Sequence, residues 1–319
     1  MKKFLYKTII VCLLVLVLPF LLTLLFTRKE NNTSLETMDF TIYYESNDNK
    51  ENLTFDEYLM GVIAANMSAG YHMEALKAQA IIARTYALYN IALLTQEKPN
   101  KDTFTTSELG LSYISLDKLK DFWGEANYGE YFSKLENAVQ GTQEEVILYD
   151  EDLILPVFFD TGSGYTRNAS EAWGIAIPYL VSVASKQDVT STNYLSIDEF
   201  EVPALIDLLG KYYSDLSLSE KEFFQVVQVA SRDSAGYVTQ INLGSLTVSG
   251  EEFAKVLGLS SNHFYLEEYE GKARIICNGA GHGIGLSQYG ANAMAEEGSS
   301  CSDILKYYYS GTTITNLSE

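Results

Sequence analysis

Residues 278 to 295 read NGAGHGIGLSQYGANAMA, with glycines at 279, 281, 283, 285 and 290 surrounding His282. Glycine at this density lets a backbone bend sharply and approach a ligand closely. A phosphate loop is the first chemistry to test, because glycine-rich turns aim backbone N–H groups at anions. No Gly-Lys-Ser/Thr follows, and no βαβ unit with a later acidic residue, so that chemistry is excluded. The stretch instead presents His282, Ser287, Gln288 and Tyr289 together. Hydrogen-bonding groups beside an aromatic face suit a polyhydroxyl ligand. The competing reading is a structural histidine that holds a tight turn.

Two other chemistries are weak. Ser163 in the loop DTGSGYT, residues 160 to 166, could be drawn into a triad with His282 and an aspartate, but the G-x-S-x-G elbow is missing. His72, His263 and His282 lie far apart without neighbours at ligand spacing, and no C-x-x-C occurs, so neither a metal nor a cofactor is expected. A third stretch, GVIAANMSAG at 61 to 70, carries one amide, Asn66, where the apolar pattern would accept a hydrophobic residue.

These residues need elements to position them. FTIYY at 40 to 44 reads as a first strand. Thr54 and Glu57 have capping-box spacing, and Leu59, Val62, Ile63 and Asn66 then recur at helical intervals. Asn66 falls near the end of that helix. After SAG, MEALKAQAIIARTYALYNIALL gives a second helix whose alanines at 75, 78, 80, 83 and 87 permit close packing, with Arg84 the charge that interrupts it. Residues 96 to 130 lack a steady period and read as a long excursion with short helices. EEVILYDEDLILPVFF alternates and breaks at 150 to 152 as a hairpin does. Beyond it come a helix in EVPALIDLLGKYY, a strand–turn–strand pattern at 224 to 250, a helix in EEFAKVLGL and closing helices at 290 to 309. Helices mixed with antiparallel hairpins, without a βαβ rhythm, predict an α+β fold.

The length of 319 residues and the 47% hydrophobic content are enough for a real core. Residues 8 to 27 carry no charge, with Lys2, Lys3 and Lys7 before them and Arg28 and Lys29 after. This run predicts an uncleaved transmembrane helix within residues 1–29, N-terminus in the cytoplasm, then a polar tether at 30–39 and an exported domain at 40–319. Residues 30–319 hold 17 basic and 42 acidic residues, a net of −25 that repels nucleic acid and anionic lipid. Cys277 and Cys301 are the exported cysteines; they could pair or remain two buried thiols.

Four blocks, LMGVIAANMSAGYHMEALKAQAIIARTYAL at 59 to 88, VFFDTGSGYTRNASEAWGIAIPYLVSV at 157 to 183, SGEEFAKVLGLSSNHF at 249 to 264 and GHGIGLSQYGANAMAEEG at 281 to 298, resemble the stage II sporulation protein D family, which includes amidase enhancers of the LytB type. The resemblance implies a membrane-anchored cell-wall protein that meets peptidoglycan glycan strands and a partner amidase-endopeptidase during forespore engulfment. Sporulation members act as lytic transglycosylases on strands stripped of peptides. One carboxylic acid protonates the leaving glycosidic oxygen, then takes the proton of the muramic C6 hydroxyl as the 1,6-anhydro ring closes.

By resemblance, that acid is a glutamate at the end of the first helix, and Asn66 stands at its position. An amide has no titratable proton near neutral pH. Also by resemblance, Arg84 joins the catalytic set, and Thr161, Ser163, Tyr165 and Thr166 join His282, Ser287, Gln288 and Tyr289 as glycan contacts. The cysteine and histidine cluster that some members carry between the second helix and the hairpin is missing, and FDTGSG lacks the histidine of the family's H-S-T-S-G-G loop. Three readings follow: a transglycosylase with a displaced acid, Asp160 or Glu74; a non-catalytic glycan-binding domain that recruits or stimulates an amidase; or an ordinary helix-terminal asparagine.

Overall fold

The computed structural model describes residues 40–46 and 49–318. The predicted membrane span and tether lie outside the described residues, and no described helix is long and apolar enough to cross a membrane. From Phe40 onward the described residues form one compact unit.

Strand β1 (Thr41–Ser46) pairs with β2 (Asn49–Leu53) as a hairpin that leads into α1 (Phe55–Asn66). The start of α1 is fixed by the expected capping box, in which Glu57 N–H donates to Thr54 Oγ1 at 3.2 Å and Thr54 N–H donates to Glu57 Oε2 at 2.8 Å. Thr54→Ala is expected to cost about 1 kcal/mol, read as a lower urea midpoint at unchanged slope.

Helix α2 (Met73–Glu97) is contacted by α1, by α4 (Glu125–Gln140), by β4 (Glu145–Tyr149) and by two C-terminal helices. Ala75, Ala78, Ala80, Ala83 and Ala87 are buried, so the alanines let neighbours approach from several sides. Between α2 and α4 the excursion holds a short strand, β3 (Thr103–Thr105), and one turn of helix, α3 (Leu119–Trp123). Strand β3 runs parallel to β1, a pairing that a reading in antiparallel hairpins alone does not contain. The expected hairpin joins β4 to β5 (Asp152–Leu153), with Asp150 and Glu151 at positive φ in its turn.

A short strand, β6 (Phe158–Phe159), and a helical turn, α5 (Ala169–Ala172), precede the second half. There β7 (Leu195–Glu201), α6 (Val202–Tyr212), α7 (Phe223–Val226), β8 (Val227–Arg232), β9 (Val238–Leu243), β10 (Leu246–Ser249), α8 (Gly250–Leu257), β11 (Phe264–Tyr269) and β12 (Lys272–Asn278) follow in order. They make two three-stranded antiparallel sheets, β10-β9-β8 and β11-β12-β7. Leu205, Leu209, Ile241, Phe253, Phe264 and Ile275 fill the core between them.

The chain then returns to the first half. Strand β13 (Leu286–Ser287) lies parallel to β6, α9 (Gln288–Glu296) and α10 (Cys301–Tyr308) pack on α2, and β14 (Thr313–Asn316) pairs with β4. The expected α+β mixture is therefore present, with two parallel pairs added to the antiparallel sheets. Cys277 is buried, Cys301 half-buried, and both are free thiols.

Candidate functional site

The glycine block approaches its own chain. Gly285 has φ +80°, and a Cβ there would fall 1.9 Å from the carbonyl oxygen of Val157. Gly279 has φ +78°, and its Cβ would fall 2.6 Å from the carbonyl oxygen of Thr161. Residues 279–290 are thus clasped to residues 157–162 through Ala280 N–H to Thr161 O (2.8 Å), Leu286 N–H to Val157 O (3.1 Å) and Tyr289 N–H to Asp160 O (3.0 Å). At these two positions the close partner is backbone of the same chain.

His282 anchors the turn. Its Nδ1 accepts from Ile284 N–H at 3.1 Å, its ring meets Phe159 edge-on, and its carbonyl accepts from Arg167 Nη1 at 3.0 Å. Burial and the adjacent Arg167 charge push its pKa down to about 4, against a weaker upward pull from the Phe158 backbone. The unfolded chain therefore binds the extra proton between about 4 and 6.5. The stability it contributes is complete above 6.5 and is expected to fall by about 2–3 kcal/mol on acidification to 4. His282→Gln should flatten that slope in urea titrations at successive pH values.

Several predicted glycan contacts are interior fasteners. Ser287 donates to Asp188 Oδ1 at 2.8 Å and accepts from Gly290 N–H at 3.1 Å as the N-cap of α9. Gln288 donates to Gln79 Oε1 at 3.1 Å. Thr166 donates to Val181 O at 3.3 Å and accepts from Val183 N–H at 2.9 Å. Thr161 is fully buried and bonds Asp160 Oδ1 at 3.1 Å. These four side chains, expected as glycan contacts, are buried. Half-buried Ser163 bonds the Ala235 carbonyl at 3.4 Å, so no triad with His282 is assembled. Tyr165 is exposed.

Arg84 is also placed elsewhere. It is buried and donates to Val139 O at 3.3 Å and Glu145 O at 3.1 Å, pinning α4 and β4 to α2. Burial pushes its pKa down to about 10, against the nearby acidic side chains. Glu74 accepts from Lys77 at 2.8 Å and from Cys301 N–H at 2.9 Å. Burial alone would raise its pKa, but these donors outweigh it and the net shift is downward, which suits an ionised structural carboxylate rather than a proton donor.

Asp160 and Tyr289 do come together, with Tyr71 of the turn after α1 within reach of their charges. Asp160 Oδ2 accepts from Asn193 at 2.8 Å, and Tyr289 bonds Thr190 through its hydroxyl at 3.1 Å. Tyr71, five residues beyond Asn66, has its pKa pushed up to about 12 by burial first and then by the charges of Asp160 and Tyr289. His72 N–H donates to Asn292 Oδ1 at 2.7 Å and fixes this turn to α9. Asn66 itself donates both amide hydrogens, to Val62 O at 2.7 Å and to Ser112 O at 2.8 Å. The side chain thus closes the helix end and holds the 112 loop against it.

Sequence reasoning did not single out Tyr71, Asn193 or Asp188. Asp188 is fully buried beneath the glycine block, where Gly162 N–H donates to it at 2.8 Å. Burial raises its pKa against the hydrogen bonds it accepts, and the Asp160 charge adds to the rise. It lies in SKQDVT, which carries no motif. A separate open cleft of about 640 Å3, lined by Arg167, Glu171, Arg232, Asp233 and Glu251 among others, contains none of the predicted site residues. Among the described residues no group of three or more His, Cys, Asp or Glu is arranged to hold a metal ion.

A mixed α+β domain whose glycine-rich segment is clasped to the 157–162 loop, with Tyr71 beside Asp160 and Tyr289, defines the class. The stage II sporulation protein (SpoIID) family matches residues 43–149. Stage II sporulation protein D of Bacillus subtilis (strain 168) is 32% identical, covering 99% of this chain and 96% of that protein. Its namesake in Bacillus amyloliquefaciens is 36% identical over 91% of this chain and 80% of that protein. The amidase enhancer of Bacillus subtilis (strain 168) is 28% identical over 81% of this chain and 40% of that protein. The chain belongs to the stage II sporulation protein D family.

Proposed function

We propose that the protein works on the cell wall during sporulation as a membrane-anchored, glycan-strand-binding module that recruits or stimulates a wall amidase, without cutting the glycan itself. The observation that carries this reading is the state of Asn66. At the place where the family resemblance puts the acid, the side chain has no titratable proton, and both amide hydrogens are held by the carbonyls of Val62 and Ser112. A lytic step needs a group that first gives a proton to the glycosidic oxygen and then removes one from the C6 hydroxyl. Asn66 can do neither. Likeness to an amidase enhancer supports the partner, and Asp160, Tyr289, Tyr71 and Asn193 supply the hydrogen-bonding and aromatic groups a sugar requires.

A second reading, a transglycosylase with a displaced acid, has one observation in its favour: half-buried Asp160 lies close enough to Tyr71 and to Asp188 for its charge to raise both. One experiment separates the two. The full chain is incubated with denuded glycan strands, with and without a cell-wall amidase supplied with intact wall. Strand binding, a faster amidase and no 1,6-anhydromuramic ends are expected. Anhydro ends that disappear in Asp160→Asn would replace the first reading with the second.

A further inference from the structure

Aromatic side chains gather on the far side of the turn that follows Asn66. A Cβ on Gly70 would lie 3.5 Å from the Tyr131 hydroxyl, so α4 sits directly against this turn. Lys134, one helical turn on, donates to the Tyr71 carbonyl at 2.6 Å. Trp123, at the end of α3, meets the Tyr131 ring edge-to-face at 5.7 Å. Phe122 beside it is 58% exposed. Helix α3 buries only Leu119, and the buried residues of α4, Leu135, Ala138 and Val139, all lie in its second half. The aromatic residues in this part of the chain are therefore not spent on the core.

Phe122 is exposed and Trp123 and Tyr131 are half-buried, so aromatic surface remains open beside the turn. That surface is continuous with the candidate site, because Tyr71 bridges the Tyr131 side to Asp160 and Tyr289. Its rim is polar and net acidic, with Asp121, Glu125 and Glu130 against Lys120 and Lys134 on the same two helices, which disfavours an anionic membrane surface. An aromatic face beside hydrogen-bonding groups is complementary to a pyranose ring, whose C–H face stacks while its hydroxyls bond the rim.

We propose that Trp123, held edge-to-face by Tyr131, forms a sugar-stacking platform for the glycan strand, a subsite separated from Asn66 and Asp160 by the 67–71 turn. The proposal rests on the glycan-binding reading above. An unbranched polymer crossing the turn engages both places at once, so affinity grows with strand length until both are filled.

The sequence has two tryptophans, so Trp173→Phe leaves Trp123 as the sole indole reporter. In the full chain carrying that change, saturating denuded glycan strands are expected to reduce iodide quenching of Trp123 several-fold. Trp123→Ala in the otherwise unaltered chain should weaken strand binding about tenfold or more, and Trp123→Phe clearly less. Urea midpoints of both variants identify any general loss of folding, in which case the quenching result decides. Strands that cosediment with the protein yet leave quenching unchanged overturn the platform and leave the glycan-binding reading standing. Shielding by phosphatidylglycerol vesicles and not by strands also overturns it. Failure of the unaltered chain to bind strands at all removes both.

Discussion

Asn66→Glu is expected to release 1,6-anhydromuramic ends from denuded glycan strands at least about a hundredfold faster than the unaltered chain, since a placed general acid–base contributes roughly 10²–10⁴. The surroundings of the amide are the reason. Its Nδ2 faces two carbonyl oxygens, those of Val62 and Ser112. A carboxyl in the same place turns an oxygen toward them, and only the protonated form can donate. Acceptors of this kind disfavour the charged form and raise the pKa, the direction that suits a group that must hand over a proton near neutral pH. Asn66→Asp, nearly isosteric with the amide, isolates the electrostatic part. Its folded pKa should lie above the unfolded value of about 3.9, so stability should be highest below that value and fall as pH rises through the folded pKa, by about 1.4 kcal/mol per unit of separation. Unchanged release from Asn66→Glu, in protein that still binds strands, would sink this account.

Asp233→Ala should produce the largest loss of stability, about 3–5 kcal/mol, the usual result of orphaning a buried charge. Asp233 Oδ2 accepts from Arg167 Nε at 2.6 Å, with the two side chains only 1% and 3% exposed. Its other oxygen accepts from Ala235 N–H at 3.1 Å and Tyr237 N–H at 2.9 Å, so the β8–β9 turn loses its scaffold as well. Arg167 also donates to the His282 carbonyl, and a displaced guanidinium would release the glycine block. Asp233→Asn keeps an acceptor for the turn and should lose less. Urea denaturation of both variants at pH 7 tests the order; an alanine variant within about 1 kcal/mol of the unaltered protein would show that water screens the pair.

Local chemistry was readable where the relevant partners are close in sequence. Thr54 and Glu57 announce their capping box three residues apart, and the hairpin between β4 and β5 is announced by alternation that breaks where Asp150 and Glu151 take positive φ. The polar residues of the glycine block were not readable in this way. Ser287 and Gln288 have the composition of ligand contacts, yet their partners are Asp188 and Gln79, 99 and 209 residues away. Composition cannot distinguish a hydroxyl kept for sugar from one kept for a buried carboxylate. Strand β7 went unnoticed for another reason: its apolar Leu195 and Ile197 are exposed, contrary to the usual apolar-in alternation. Asn66 stood out as polar on an apolar face, but only coordinates reveal that Ser112, 46 residues on, accepts its second hydrogen.

The pairing of β14 with β4 has a consequence for how the molecule is made. The segment matched by the family, 43–149, ends on β4, and the partner strand of β4 is drawn from residues 313–316. Helices α9 and α10, which cover α2, are likewise synthesised late. A chain emerging N-terminus first therefore holds one side of its alanine-rich helix and an unpaired strand edge open to water until residues 288–316 have been added. Such an edge invites pairing with other chains. Loss of residues 313–316 would leave that strand edge open even with α9 and α10 in place, so this short strand serves as the clasp that ends the nascent chain's vulnerability.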